Sequence, residues 1–118
     1  MVSLTTYTKA EIKVVLWTQI KDREYSSIHT AKPQKGESIN QKEMRAMLLG
    51  LEHIKKPVEL EIYTDSPWMV RAVGEWMPKW KQDGWKKSDG KPVANAELWK
   101  KIANELEKHK YTIKAKEK

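Results

Sequence analysis

The chain has 118 residues, a third of them charged, with a formal net charge of +7, six Trp, four Tyr and no Cys. That length holds one domain with a single modest core, and the aromatic content excludes a disordered chain. A mean hydropathy of −0.78, with no apolar run near the roughly 20 residues of a membrane span, excludes a membrane protein. Without Cys there is no disulfide framework or Cys-based zinc site, and His29, His53 and His109 are too scattered for a His cluster. The N-terminal MVSLTTYTKAEIK has no signal-peptide apolar region, so a cytoplasmic location is expected.

Residues 3–8, 12–20 and 23–30 are rich in β-branched and aromatic side chains and read as three strands. Lys21-Asp22 is short enough for a hairpin turn, and Pro33 and Gly36 break the polar loop that follows. Met44, Met47, Leu48, Leu51 and Ile54 then recur at helical spacing, predicting a helix from about Asn40 to Lys55 with Asn40 and Glu43 as a capping box. Pro57 stops it, and VELEIYT (58–64) is the fourth strand. Ser66-Pro67 reads as an N-cap with proline at the first helical position. The helix so opened carries Trp68, Val70, Val73, Trp76 and Met77, and Pro78 is expected to kink or end it. Beyond Gly84 and Asp89-Gly90, a last amphipathic helix starts near Asn95 through Leu98, Trp99, Ile102 and Leu106, with Lys108 and Lys110 at its C-terminus. Residues 111–116 alternate as a fifth strand. The order βββαβααβ predicts a mixed sheet in an α/β or α+β domain.

The basicity is one-sided: residues 79–118 carry twelve Lys against six acids. Such a surplus is the footprint expected for a polyanion partner, although a solvated lysine-rich surface gives the same count. Trp76, Trp80 and Trp85 alternate with Lys79, Lys81, Lys86, Lys87 and Lys91. Lysines neutralise phosphates, and indole faces pack on sugars or exposed bases. Trp76 and Trp80, four apart, equally suit one buried helix face. Trp99 suits the core, and Trp85 suits either packing of the loop or contact with nucleic acid.

Between Glu61 and Trp99 the stretch EIYTDSPWMVRAVGEWMPKWKQDGWKKSDGKPVANAELW resembles the type 1 ribonuclease H family, basic protrusion included. The likeness is strong over 40–110 and weak over 1–39. It implies an α/β ribonuclease H-like domain across 1–118, with a five-stranded mixed sheet and a Trp/Lys protrusion that holds an RNA–DNA hybrid. It implies nucleic-acid contacts by Asn40, Trp76, Trp80, Lys81, Trp85, Lys86, Lys87, Lys91 and Asn95, with Pro67 and Pro78 as departures.

The family cleaves with carboxylates converging on two Mg²⁺ ions about 3.5–4 Å apart. By the resemblance, Glu43 is the helix Glu and Asp65 the strand-end Asp. Thr6 stands where the first-strand Asp is aligned, Tyr7 and Lys9-Ala10 replace its glycine-rich turn, and Glu11 is a poor substitute. The chain stops at Lys118, short of the His loop, last Asp and final helix. Glu43 and Asp65 are therefore expected as catalytic and metal remnants, holding at most one weakly bound Mg²⁺. Each also has a structural reading, Glu43 in the capping box and Asp65 capping the helix at Pro67.

The function expected is a catalytically impaired binder of RNA–DNA hybrid or structured RNA. A phage or mobile-element inhibitor of a nucleoprotein enzyme suits it. An active Mg²⁺-dependent hybrid ribonuclease and a protein–protein module are the alternatives.

Overall fold

The computed structural model describes residues 1–9 and 11–116. Five strands, β1 (Val2–Tyr7), β2 (Ile12–Ile20), β3 (Arg23–Ala31), β4 (Glu59–Thr64) and β5 (Lys110–Ala115), form one sheet in the order β3-β2-β1-β4-β5. The first three make the antiparallel meander read from the sequence; β1/β4 and β4/β5 are parallel. Strand β2 buries Ile12, Val14 and Leu16 at period two, and β1 buries Leu4 and Thr6, so one sheet face carries the core. Helix α1 (Ile39–Glu52) and helix α4 (Ala96–Leu106) pack there beside each other.

The cap of α1 differs from the sequence reading. Ser38 is the N-cap: its hydroxyl accepts from the Gln41 N–H at 3.1 Å, and Gln41 Oε1 accepts from the Ser38 N–H at 2.9 Å. Ser38/Gln41 and Asn40/Glu43 share the three-residue offset of a capping box, and the path of the preceding loop makes Ser38 the cap. Asn40 and Glu43 are thereby released from capping, and Glu43 turns inward. The helix ends at Glu52 rather than Lys55, with the His53 N–H closing the last turn on Gly50 O and Leu51 O.

Pro78 neither ends nor breaks the second helical run. Helix α2 (Pro67–Arg71), capped by Ser66 as expected, passes into a π-helical turn (Ala72–Trp76) and then α3 (Met77–Gln82). In the π turn the Met77 N–H reaches back to Ala72 O. The wider turn loosens the backbone just ahead of Pro78, where a missing N–H and ring bulk are otherwise costly. Asp65 does not cap this run. Lys110 is no part of α4: its N–H bonds Val58 O at 3.2 Å and opens β5.

Trp68, Trp76, Trp80 and Trp99 close into a ring of indoles, with neighbouring centroids 5.7–6.3 Å apart. Trp99 is buried as expected, and the other three are half-buried against it. The ring fastens α2 and α3 to α4, with contacts at the spacing at which tilted aromatic pairs attract.

Gly50 marks the closest approach of α1 to the sheet. A Cβ there would stand 2.8 Å from Leu4 Cδ1 and Val14 Cγ2. Alanine normally favours a helix interior by about 1 kcal/mol over glycine, but overpacking costs roughly 1–3 kcal/mol. Gly50→Ala should therefore destabilise the protein, read as a lower urea midpoint; a higher midpoint would show that α1 is free to lift.

His109 ties β4 to the end of α4. Its Nδ1 accepts the Val58 N–H at 3.1 Å, so the ring is neutral, with its proton on a buried Nε2 that has no partner. Burial, ahead of Lys108, lowers its pKa below 6.5, against an opposing effect of Glu105. The unfolded chain then takes up this proton first, and stability should fall as pH drops below about 6.5. His29, also lowered by burial and by His53, adds to the same fall. Acid titration of the melting temperature should therefore show a shallower loss in His109→Gln than in the parent.

Candidate functional site

Glu43, one turn into α1, is 1% exposed and lies against the ends of β1 and β4. Its Oε1 accepts from Thr64 Oγ1 at 2.5 Å and Thr6 Oγ1 at 3.2 Å, while Thr64 Oγ1 accepts the Ser66 N–H at 3.1 Å. Glu43 Oε2 is buried without a partner among the described residues. Both threonines point inward because their strands bury every second residue, and the register places Thr5 level with Tyr63. Continued by two residues, that register sets Thr6 beside Thr64 and Tyr7 beside Asp65.

This corrects the alignment of Thr6 with the first-strand Asp. The β1 residue level with Asp65 is Tyr7, whose side chain shares the open side of the strand. Thr6 belongs to the buried layer with Glu43. Asp65, 42% exposed at its side chain, pairs through Oδ2 with Lys116 Nζ at 3.3 Å. The Lys116 ammonium also donates to the Thr6 carbonyl and lies 3.7 Å from the Tyr7 ring centroid, with Lys13 at 5.0 Å. Tyr7, Lys9, Glu11, Lys13, Asp65 and Lys116 surround a pocket of about 370 Å³. Glu11 precedes β2, as expected, yet faces the same pocket. Among the described residues no three His, Cys, Asp or Glu side chains converge as a metal centre.

The second cluster is the Trp/Lys region. After Gln82 the chain turns through Gly84 and Trp85, both at positive φ, 71° and 66°. For a bulky side chain that is an uncommon conformation, and it is held from both sides. The Trp85 N–H donates to Trp80 O at 2.7 Å, the Val93 N–H donates to Trp85 O at 3.0 Å, and the ring packs against the core. Beyond this root, Lys86 and Pro92 bridge, the Lys87 backbone N–H donates to the Lys91 carbonyl at 2.8 Å, and Gly90 closes the tip at φ 84°. The protrusion is a short lysine-rich hairpin standing on Trp85.

Trp76, Lys79, Trp80, Asp83, Lys86 and Lys87 line a groove of about 760 Å³ at the foot of this hairpin. Lys91 lies outside that lining, in the far arm of the hairpin. Lys81 ion-pairs with Glu107 of the segment after α4 and is engaged within the fold. Asn95 adopts φ 59° ahead of α4, and its Oδ1 accepts from Gln41 Nε2 at 2.9 Å. That bond brings the start of α1, with Asn40, next to the start of α4.

Sequence reasoning passed over Tyr7, Thr64 and Lys116 as site residues. The signal for Tyr7 was strand parity, since a one-residue slip exchanges the two faces of a strand. Lys116 carried no local signal, because only the parallel pairing of β5 with β4 carries it to Asp65. Lys79 was visible in the Trp/Lys pattern without being singled out.

The sequence profile of the RNase H family matches residues 4–115. The ribonuclease H of Cupriavidus pinatubonensis is 41% identical over 73 residues, covering 62% of this chain and 50% of that protein. The chain spans about half the length of the curated relatives it matches. Among solved structures, LC9-RNase H1, described as a type 1 RNase H with the type 2 active-site motif, superposes with a TM-score of 0.73 at 16% identity. That match covers 98% of this chain and 62% of the other. The foamy viral protease–reverse transcriptase, solved in complex with an RNA/DNA hybrid, gives a TM-score of 0.67 at 17% identity, covering 98% of this chain and 17% of that one. At such identities these structures speak for the fold. The sheet order agrees with them, and the profile match over almost the whole chain establishes that this chain belongs to the RNase H family.

Proposed function

We propose that this protein binds RNA–DNA hybrid through the Trp/Lys groove and does not hydrolyse it efficiently. The observation that carries the binding is the groove itself: half-buried faces of Trp76 and Trp80 set between Lys79, Lys86 and Lys87. Ammonium groups spaced along such a groove follow a phosphate backbone, and the indoles accept sugar or base faces. Lys91 extends the cationic hairpin, and Asn40 and Asn95 flank the approach from the starts of α1 and α4. Trp85 serves this surface as its structural root, and Lys81 through its tie to Glu107.

The weak point for catalysis is the β1 corner. Two-metal cleavage needs several carboxylates on hard cations. Here a tyrosine is level with Asp65 and a lysine is paired to it. Glu11 on the rim of the Asp65 pocket is the observation that favours an active nuclease instead. In that reading Glu11 would supply the missing acid.

Hybrid binding and cleavage distinguish these. The purified protein should retain hybrid in a filter or anisotropy assay and fail to cut it in Mg²⁺ or Mn²⁺. Multiple-turnover cleavage that vanishes in Glu43→Gln, Asp65→Asn or Glu11→Gln would establish the nuclease. The triple variant Lys79→Ala/Lys86→Ala/Lys87→Ala should stay folded, since exposed lysines contribute within about ±0.5 kcal/mol. Each phosphate contact it loses should flatten the log K against log salt slope by about 0.9. Unchanged binding by this folded variant would remove the groove from the binding surface. Trp85→Ala should lower the melting temperature, at a cost of about 2–3 kcal/mol for a partly buried indole, because it roots the hairpin.

The strand register makes a separate prediction. Thr6→Asp would bury a second carboxyl beside Glu43 and should destabilise the fold by several kcal/mol. Tyr7→Asp places its carboxylate on the open side, next to Asp65, and should be tolerated in a denaturation experiment. Equal tolerance of both would refute the assignment of Tyr7 as the position level with Asp65.

A further inference from the structure

The acidic corner already contains a cation, supplied by the chain. Lys116 follows β5, and its backbone N–H donates to Thr64 O at 2.9 Å, continuing the parallel β4–β5 pairing past the last strand residue. Sheet pairing thus fixes where the side chain starts. The side chain, 19% exposed, runs across the Tyr7 ring to Asp65 Oδ2 and the Thr6 carbonyl. An ammonium has three donors and no acceptor, and this one has an acceptor from each of two strands plus an aromatic face.

We propose that Lys116 is a tethered counter-cation that takes the place of a divalent ion at the Asp65 pocket, leaving that carboxylate neutralised from within. The oxygens on offer do not suit Mg²⁺. That ion demands near-ideal octahedral oxygen coordination and usually engages one or two carboxylates plus waters and phosphates. Asp65 Oδ2 is committed to Lys116, Glu43 Oε1 already accepts two hydroxyls, and Glu43 Oε2 is buried. The level β1 position offers the Tyr7 ring, which attracts ammonium on its face and presents no carboxylate. A divalent ion entering here would stand beside Lys116, with Lys9 and Lys13 also on the pocket wall, and like charges at such distances repel strongly. The inference concerns the Asp65 pocket alone and holds whether or not the Trp/Lys groove grips a hybrid.

Mn²⁺ reports on this without any nucleic acid. In ¹⁵N-labelled protein, the paramagnetic ion should leave the amide signals of Thr64, Asp65 and Tyr7 no broader than those of other surface residues. Lys116→Met keeps an unbranched stem over Tyr7 and removes the charge. It should gain roughly tenfold in Mn²⁺ affinity, as expected for deleting one nearby positive charge, with broadening centred on Asp65 and lost again in Lys116→Met/Asp65→Asn. Lys116→Arg should remain insensitive. Melting temperature gives a second readout: added Mg²⁺ should raise it in Lys116→Met and leave the parent unchanged. Lys116→Gln carries the same reading should the Met variant not fold. Localised broadening in the parent that disappears in Asp65→Asn would overturn the proposal. A charge-removed variant as insensitive to Mn²⁺ as the parent would overturn it equally.

Discussion

A carboxyl group buried to 1% exposure is the constraint around which the rest of this molecule is arranged. Removing Glu43 from water is costly unless its oxygens are bonded. Thr6 from β1 and Thr64 from β4 meet the need on one oxygen, with the Ser66 N–H completing the chain of donors. Three elements must be correctly placed for that bond set to exist: α1 in its rotation, β1 in its parity, and β4 in its register with β1. The same arrangement determines which residues come out on the open side of the corner. With Thr6 and Thr64 turned in, Tyr7 and Asp65 must turn out, and the parallel fifth strand then delivers Lys116 to them.

The helical run that follows Asp65 is governed by aromatic packing. Four indoles in a closed ring join α2 and α3 to α4, and the π turn lets the chain carry Trp76, Trp80 and Pro78 in one helical run. Trp85 accepts a left-handed backbone because two backbone hydrogen bonds and its packed ring hold it there. A rigid foot under a lysine hairpin has a functional consequence. The Lys86 and Lys87 ammonium groups are presented from a fixed base toward Trp76 and Trp80, so less ordering entropy is lost when a polyanion is engaged.

The two clusters therefore use positive charge differently. In the hairpin, Lys86 and Lys87 are exposed and face a groove, where salt screens them and a phosphate backbone competes well. At the acidic corner, Lys116 is spent on an internal carboxylate. An excess of lysine in the last third of the sequence describes both situations with one number, although only the first offers charge to a partner.

The sequence by itself determined the strand and helix order, the Ser66-Pro67 helix start, the core role of Trp99 and the Trp/Lys pattern. Each of these follows from local periodicity, turn chemistry or residue type. It misplaced the α1 cap, because Asn40/Glu43 and Ser38/Gln41 both satisfy a three-residue offset and only the geometry of the loop chooses between them. It expected Pro78 to kink or end the second helix and did not show the π turn ahead of it, because such a turn reveals itself in hydrogen-bond spacing and not in composition. It aligned Thr6 with the first-strand acid, because a strand's facing changes with a single-residue shift and only pairing with β4 fixes that shift. The partners of Lys81, Asn95 and Lys116 lie 26, 54 and 51 positions away at Glu107, Gln41 and Asp65. Only the tertiary structure decided those contacts, because charge and hydrogen-bonding capacity are written in the residue while the partner is chosen by how the sheet and helices close on each other.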